Sequence, residues 1–188
     1  FTIATWIKVD AFSTWQRIFD FGSGTDNYMF LAAQGSAGAG KPRFAFRTPS
    51  VAQQHIDSSI AITAGVWTHV AVIRSGDTVS LYVNGTLAGS GTITINPSDL
   101  GFTTQNYLGK SQWPDPYLDS SLDDFRIYPQ AISSGELGAL VTPAGAPTRL
   151  AATPGNGQAT FTWGPNATTR YSAKRSTTSG GPYTTVAT

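Results

Sequence analysis

The chain contains one dense group of side chains suited to binding sugar. The segment Ser111–Tyr117 (SQWPDPY) combines two aromatic rings with an amide and a carboxylate. Flat rings stack on the C–H faces of sugars, while amide and carboxylate groups hydrogen-bond to their hydroxyls. Two prolines stiffen the segment and reduce the entropy lost on binding. We therefore predict that Gln112, Trp113 and Asp115 contact a carbohydrate; the alternative is that the aromatics, Tyr117 included, pack beneath their own loop.

A second group of similar chemistry lies near the start of the chain. Trp15 and Arg17 again place a ring beside a hydrogen-bonding group, and Asp20 follows on the same predicted strand. We predict that Trp15 and Arg17 belong to the same sugar site, with Asn27 and Tyr28 as weaker candidates. The alternative for Trp15 is a structural role at the edge of the fold, where aromatics are common.

The carboxylates do not suggest a glycosidase. Hydrolysis of a glycosidic bond requires two carboxyl groups flanking it. The single glutamate, Glu136, fits a helix capping box that begins at Ser133. Asp123 and Asp124 are adjacent, and neighbouring residues of a strand face opposite sides. With no Gly-x-Ser-x-Gly motif either, we predict that this segment is not an enzyme.

The two histidines and the composition narrow the chemistry further. His69 lies in a predicted strand, where a hydrogen-bonded structural role is favoured over catalysis, and His55 lies in a polar segment that either meets solvent or touches a ligand. The chain has no cysteine, which excludes disulfides and thiolate metal sites. Only 12% of residues are charged and no basic stripe occurs, so we expect no nucleic-acid partner. No run of 18 apolar residues occurs, so we expect no membrane span.

Alternating apolar residues predict a fold made almost entirely of antiparallel strands. The clearest example is Trp67–Gly89, with two alternating runs, a turn at Ser75–Asp77 and a type I′ turn at Asn84-Gly85. Such a meander needs a second sheet to cover its apolar face, which predicts a β-sandwich. The remaining predicted strands are Phe1–Val9, Arg17–Gly22, Tyr28–Ala33, Arg43–Arg47, Thr92–Ile95, Asn106–Ser111 and Leu122–Tyr128.

The other segments divide the chain. Residues Pro49–Ser59 are polar and are interpreted as a loop, and one helix is predicted at about 133–140. Residues 143–147 form a linker rich in proline, glycine and alanine. Beyond it, three short strands at 159–163, 170–174 and 183–187 are too few to close a sandwich, so we expect an excised segment that ends within its second domain.

Three blocks carry a family resemblance over residues 1–142. FTIATWIK, WTHVAVIRSGDTVSLYVNGTLAG and YLGKSQWPDPYLDSSLDDFRIYPQAISSGEL resemble the bacterial laminin G-like domains of the concanavalin A-like lectin and glucanase superfamily. The resemblance implies a jelly roll of two antiparallel sheets. Members usually have one or two strands before FTIATW, which this sequence lacks. Residues 148–188 resemble the first half of an immunoglobulin-like fibronectin type III domain, with Trp163 and Tyr171 at its core positions.

The resemblance also implies a function. Such pairs of domains accompany catalytic domains in secreted bacterial glycoside hydrolases, which implies an extracellular, non-catalytic, monomeric module that binds polysaccharide beside a glycosidase in the same parent chain. A structural or adhesive spacer is the alternative. Related jelly rolls hold a structural calcium ion, and the matching ligands here would be the Asp123 carboxylate with the Gly22 or Ser23 carbonyl.

Overall fold

The computed structural model describes residues 1–142 and the strand segments 148–155, 158–164, 173–175 and 184–187. The chain divides into two compact units, Phe1–Val141 and Thr142–Thr188. The first unit contains a short helix, α1 (Ser134–Val141), and two sheets of five strands each. Its strands are β1 (Thr2–Ala11), β2 (Arg17–Gly22), β3 (Tyr28–Ala32), β4 (Arg43–Thr48), β5 (Val51–Asp57), β6 (Thr68–Ser75), β7 (Thr78–Val83), β8 (Thr86–Thr92), β9 (Gln105–Leu108) and β10 (Asp119–Tyr128).

The two sheets form the predicted antiparallel sandwich. The first sheet has the strand order β10-β1-β6-β7-β8 and the second has the order β5-β4-β3-β2-β9. Neighbouring strands are antiparallel throughout both sheets. Because side chains alternate along a strand, each sheet has one face toward the core and one face away from it. We call the second of these the outer face.

The core lies between the two inner faces. The predicted apolar face of the central meander is confirmed, since its aliphatic residues are at most 3% exposed: Val70, Val72, Val79, Leu81 and Val83. Phe19, Phe44 and Phe46 meet them from the second sheet and are fully buried. The β7–β8 turn has positive φ at Asn84 (49°) and Gly85 (74°), as the type I′ prediction requires.

Helix α1 packs on the outer face of the first sheet. Leu137 of the helix joins Ala4, Ala71 and Ile73 in one buried cluster. The predicted capping box is present, since the Ser133 amide donates to Glu136 Oε2 at 2.7 Å and the Glu136 amide donates to Ser133 Oγ at 3.3 Å. The helix therefore covers the first sheet and leaves the outer face of the second sheet to other residues.

The prediction of a loop at Pro49–Ser59 is wrong. Residues Val51–Asp57 form β5, the edge strand of the second sheet, and pair with β4. The apolar alternation that marks other strands is missing here, because an edge strand that faces solvent needs few apolar side chains. His55 consequently lies on a strand. The predicted strand Thr92–Ile95 is also wrong, because β8 ends at Thr92.

The second unit contains β11 (Thr148–Gly155), β12 (Gln158–Gly164), β13 (Ala173–Arg175) and β14 (Thr184–Ala187). They pair antiparallel as β11 with β12 and β13 with β14. Strand β11 was not among the predicted strands. The predicted linker at 143–147 lies outside the described residues, as does Tyr171. Across the part of the chain that the structure describes, no helix has the length and apolar character to cross a membrane.

Candidate functional site

Four aromatic side chains gather on the outer face of the second sheet. Tyr28 and Phe30 lie two residues apart on β3 and so share one face, where their rings stack with centroids 5.4 Å apart. The Trp113 ring meets Tyr28 edge-on at 4.8 Å, and the Trp15 ring meets Phe30 edge-on at 6.4 Å. Small residues Ala32 and Ala45 complete the same cluster. We call the group Trp15, Tyr28, Phe30 and Trp113 the aromatic platform.

A buried arginine lies among these rings. The Arg17 guanidinium carbon is 3.8 Å from the Phe30 centroid and 5.5 Å from the Trp15 and Trp113 centroids. Arg17 is 3% exposed, and its Nη1 donates to the Trp15 carbonyl at 2.8 Å. A guanidinium on ring faces is attracted by their negative quadrupole. Arg17 therefore holds three rings of the platform in place.

Two carboxylates balance the Arg17 charge. Asp20 Oδ2 is 3.4 Å from Arg17 Nε and Asp115 Oδ2 is 3.3 Å from Arg17 Nη2. Burial raises the pKa of Asp20, while the hydrogen bonds from Gln112 and the charge of Arg17 oppose that rise. Burial also lowers the pKa of Arg17, against the attraction of Asp20 and Asp115. Arg17 and Asp20 thus each offset part of the cost of burying the other.

The segment Ser111–Tyr117 is fixed to β2 through this cluster. Gln112 donates to both Asp20 oxygens, from Nε2 at 2.9 Å and from the backbone amide at 3.2 Å. Its Oε1 accepts a hydrogen bond from the Gly24 amide. Gly22 lies beneath, and a Cβ there would be 2.5 Å from Gln112 Nε2 and 2.2 Å from the Asn27 carbonyl oxygen. Only glycine fits at this position without moving the loop.

Hydrogen bonds fix the backbone at Trp113 and at Trp15. Ser111 Oγ donates to Asp115 Oδ2 at 2.8 Å and accepts from the Trp113 amide at 3.1 Å. Trp15 has a φ of 70°, a left-handed conformation that costs a non-glycine residue about 1 kcal/mol. Its amide donates to the Gln34 carbonyl at 3.0 Å. Strain of this kind concentrates at functional sites.

The structure brings the predicted sugar-binding residues together. Residues 15 and 17 are almost 100 positions from residues 112, 113 and 115, yet Arg17 contacts Trp15, Trp113 and Asp115. Trp15, Gln112, Trp113 and Asp115 are half-buried. Arg17 is buried, so it positions the rings and does not face solvent. Tyr117, which the alternative placed beneath the loop, is 70% exposed. Sugar binding by these residues stays a prediction.

Sequence reasoning missed the centre of the platform. Phe30 was not singled out, although it lies two residues after Tyr28 and therefore shares its face. Alternation alone does not say which face of the fully buried β3 meets the core, and both faces carry apolar side chains. Gln53 and Arg47 were missed as well. The Tyr28 hydroxyl donates to Gln53 Oε1 at 2.6 Å, and Arg47 pairs with Tyr28 across β3 and β4.

The predicted calcium ligands lie on different sheets of the sandwich. Asp123 lies on β10 of the first sheet, where its Oδ1 accepts from the Asp124 amide at 2.8 Å. Gly22 lies on β2 of the second sheet, and its carbonyl accepts from the Thr104 amide at 3.0 Å. Within the described residues, no three histidine, aspartate or glutamate side chains form a group able to hold a metal. The predicted site, with one carboxylate and a backbone carbonyl, is not of that kind, and calcium stays a prediction.

The two histidines lie in different surroundings. His69 is 2% exposed and meets the Trp6 ring edge-on at 5.4 Å, but its Nδ1 has no hydrogen-bond partner, contrary to the predicted structural hydrogen bond. Burial lowers its pKa to about 4. His55 Nε2 is 3.7 Å from Asp57 Oδ2 at the exposed sheet edge. Asp124 Oδ1 lies 2.6 Å from Arg126 Nε, an ion pair that gives this carboxylate a structural partner.

Several solved structures share this fold. Domain 4 of AbnA, a GH43 extracellular arabinanase from Geobacillus stearothermophilus solved with arabinotriose, is 23% identical with a TM-score of 0.63, covering 75% of this chain and 66% of that one. The Ruminococcus gnavus IT-sialidase CBM40 bound to α2,3-sialyllactose is 22% identical with a TM-score of 0.64, covering 74% and 81%. The leech intramolecular trans-sialidase is 18% identical with a TM-score of 0.63, covering 80% and 24%. At these identities the likeness establishes the fold.

Sequence comparison identifies the family. No curated protein sequence matches the chain. The Laminin_G_3 family profile, described as Concanavalin A-like lectin/glucanases superfamily, matches residues 1–138. That span contains both sheets of the sandwich and the first part of α1, and it stops before the second unit. The match covers most of the sequence and all of the aromatic platform, and by it the chain belongs to the laminin G-like family of the concanavalin A-like lectin/glucanases superfamily.

Proposed function

We propose that this chain is a non-catalytic carbohydrate-binding module that binds glycan on the aromatic platform. The observation that carries the proposal is the half-exposed pair Trp15 and Trp113 held over β3 by the buried Arg17. Rings fixed before binding lose little conformational entropy when a sugar stacks on them. Gln112 and Asp115 lie beside Trp113 as hydrogen-bonding groups.

The structural neighbours support this proposal. The arabinanase domain was solved with arabinotriose and the sialidase module with sialyllactose. By analogy with these neighbours, we also propose that the parent protein is a secreted bacterial glycoside hydrolase with its catalytic domain elsewhere. The proposals that the second unit is part of a fibronectin type III domain and that the module acts as a monomer rest on the sequence resemblance alone. Fold alone does not fix a ligand, so the proposal depends on the platform.

The test is a screen of plant, fungal and bacterial polysaccharides against the full chain. Wild type is compared with Trp113→Ala and with Trp67→Ala, a matched control because Trp67 is 42% exposed and precedes β6 of the first sheet. We expect saturable binding that Trp113→Ala abolishes and Trp67→Ala preserves. Binding that survives in Trp113→Ala would remove the platform from the site. Repeating the screen in calcium and in EDTA tests the predicted ion at Asp123.

A spacer that contacts protein is the second candidate. The observation that favours it is an apolar groove of about 370 Å³ lined in part by Phe21, Met29 and Leu100. Phe102 and Ile127 beside it are 100% and 59% exposed. If no polysaccharide binds and Phe102→Ser with Ile127→Ser abolishes capture of a neighbouring domain of the parent protein, the spacer function replaces sugar binding.

A further inference from the structure

The charges on the outer face of the second sheet leave one guanidinium without a partner. Arg17 pairs with Asp20 and Asp115, and Arg43 forms two hydrogen bonds to Asp57 at 2.6 and 2.7 Å. Arg47, on the same face, forms no ion pair or side-chain hydrogen bond with any described residue. The three carboxylates named here therefore pair with Arg17 and Arg43, and Arg47 is left without one.

Arg47 stands beside the aromatic platform. It lies directly opposite Tyr28 in the β3–β4 pairing, and residues opposite each other on neighbouring strands share a face. The residue is half-buried, and its Nε is buried with no hydrogen-bond partner. Its positive charge is felt at Tyr28, where it acts against the burial that raises the pKa of that phenol.

A buried, unpartnered guanidinium nitrogen is costly, because it has lost its water without gaining an acceptor. The natural partner for a guanidinium is a planar anion that accepts from two of its N–H groups at once, and a carboxylate has that shape. Lys110 is a second cation next to the site that forms no ion pair with any described residue. Its Nζ lies 4.4 Å from the ring of Tyr107, which is opposite Asp20. The face thus has an excess of positive charge at the place where a sugar would stack.

We propose that the module recognises a glycan that carries a carboxylate, which Arg47 binds while the sugar ring stacks on the platform. This inference rests on the proposed function and narrows it to the acidic sugars. Arg47 determines specificity, whereas Trp113 supplies affinity for acidic and neutral glycans alike.

The test uses glycans in matched pairs. Polygalacturonate, alginate, hyaluronan and a sialylated glycan are each compared with their carboxyl-reduced forms by calorimetry or affinity electrophoresis. We expect wild type to bind at least one carboxylated member about tenfold or more tightly than its reduced form, the gain of one charge-assisted bidentate contact. Arg47→Gln should abolish that preference. Arg47→Lys, which keeps the charge but loses the planar fork, should retain part of it.

The control is Lys8→Gln, which removes the same charge from β1 of the first sheet and should leave the preference intact. Thermal unfolding of each variant verifies folding, and Arg47→Lys serves if Arg47→Gln does not fold. Glycan binding that Trp113→Ala abolishes but that shows no carboxylate preference, or a preference that survives in Arg47→Gln, overturns this inference and leaves the proposed function standing. If no glycan binds in either its carboxylated or its reduced form, both this inference and the proposed function are overturned.

Discussion

At the scale of single residues, Arg17 has the largest structural role in the site. It is buried against Phe30 and paired with Asp20, whose side chain is fully buried. Arg17→Met would leave the Asp20 carboxylate without its cation, which typically costs about 3 to 5 kcal/mol in a buried pair. We expect a loss of about that size in the free energy of unfolding, measured by urea denaturation at neutral pH. The double variant with Asp20→Asn should recover part of it; losses that simply add would show that the two side chains are not coupled.

His69 gives the fold a dependence on pH. Burial lowers its pKa to about 4, against an ordinary value of 6.5, with the nearby Asp124 and Arg126 acting in opposite directions. As the pH falls, the unfolded chain therefore takes up the proton before the folded chain does. The contribution of neutral His69 to the free energy of unfolding is complete above pH 6.5 and is lost as the pH falls toward 4. The resulting loss in the free energy of unfolding approaches about 3 kcal/mol.

The variant His69→Phe isolates this effect. It keeps a ring against Trp6 and removes the titration, and the backbone amide at this position still donates to Asn84 Oδ1. Unfolding midpoints measured from pH 7 to pH 4 should fall less steeply in the variant than in wild type. Parallel curves would mean that His69 titrates alike in the folded and unfolded chains. Lys8→Gln serves as a control that leaves the histidine in place.

At the scale of elements, the loop that carries Trp113 depends on the glycine beneath it. Gly22→Ala would place a Cβ 2.5 Å from Gln112 Nε2 and 2.2 Å from the backbone oxygen of Asn27. Because the second atom belongs to the backbone, the β2–β3 turn has to shift and the loop loses its anchor on Asp20. We expect lower stability by about 1 to 3 kcal/mol together with weaker glycan binding. Gly138→Ala, on α1 where the backbone is helical and the added carbon meets nothing within 4 Å, is the control; equal binding in both variants would contradict the anchoring.

Helix α1 depends on Ser133, the residue that caps its start. Ser133 Oγ and its amide both donate to Glu136 Oε2, and Ser133 Oγ accepts the Glu136 amide. Ser133→Ala removes this cap and should cost about 1 kcal/mol of unfolding free energy. Thermal unfolding measures it, with Ser134→Ala as the neighbouring control. Glycan binding should not change, since the helix covers the first sheet and the platform lies on the second.

The elements that the sequence predicted correctly each have a local pattern of residues. Strand β7 of the meander alternates strictly because one of its faces is buried, and the capping box has a fixed spacing of three residues. Strand β5 has neither signal, since it lies at an edge, half in solvent. Sequence reasoning selected Trp15, Gln112 and Trp113 by their chemistry but missed Phe30 and Arg47. The burial of Arg17 and the lack of an ion pair at Arg47 depend on pairing across β2, β3 and β4, which local patterns do not specify.

At the scale of the whole molecule, the sandwich separates structural and binding roles. The first sheet has its outer face covered by α1, whereas the second sheet has the aromatic platform on its outer face. Every residue of the platform lies between positions 15 and 113, inside the first compact unit. The second unit contributes none of them.

A chain truncated after Thr142 should therefore bind glycan as tightly as the full chain. The physical reason is that the rings, Arg17 and the Gln112 anchor all belong to Phe1–Val141, together with the core that supports them. Calorimetry on both chains with the same polysaccharide measures the two dissociation constants, and circular dichroism verifies that the truncated chain is folded. Equal affinities locate recognition in the sandwich. A folded truncated chain that binds tenfold more weakly would show that residues 143–188 contribute to the ligand site, and the platform would then be one part of a larger surface.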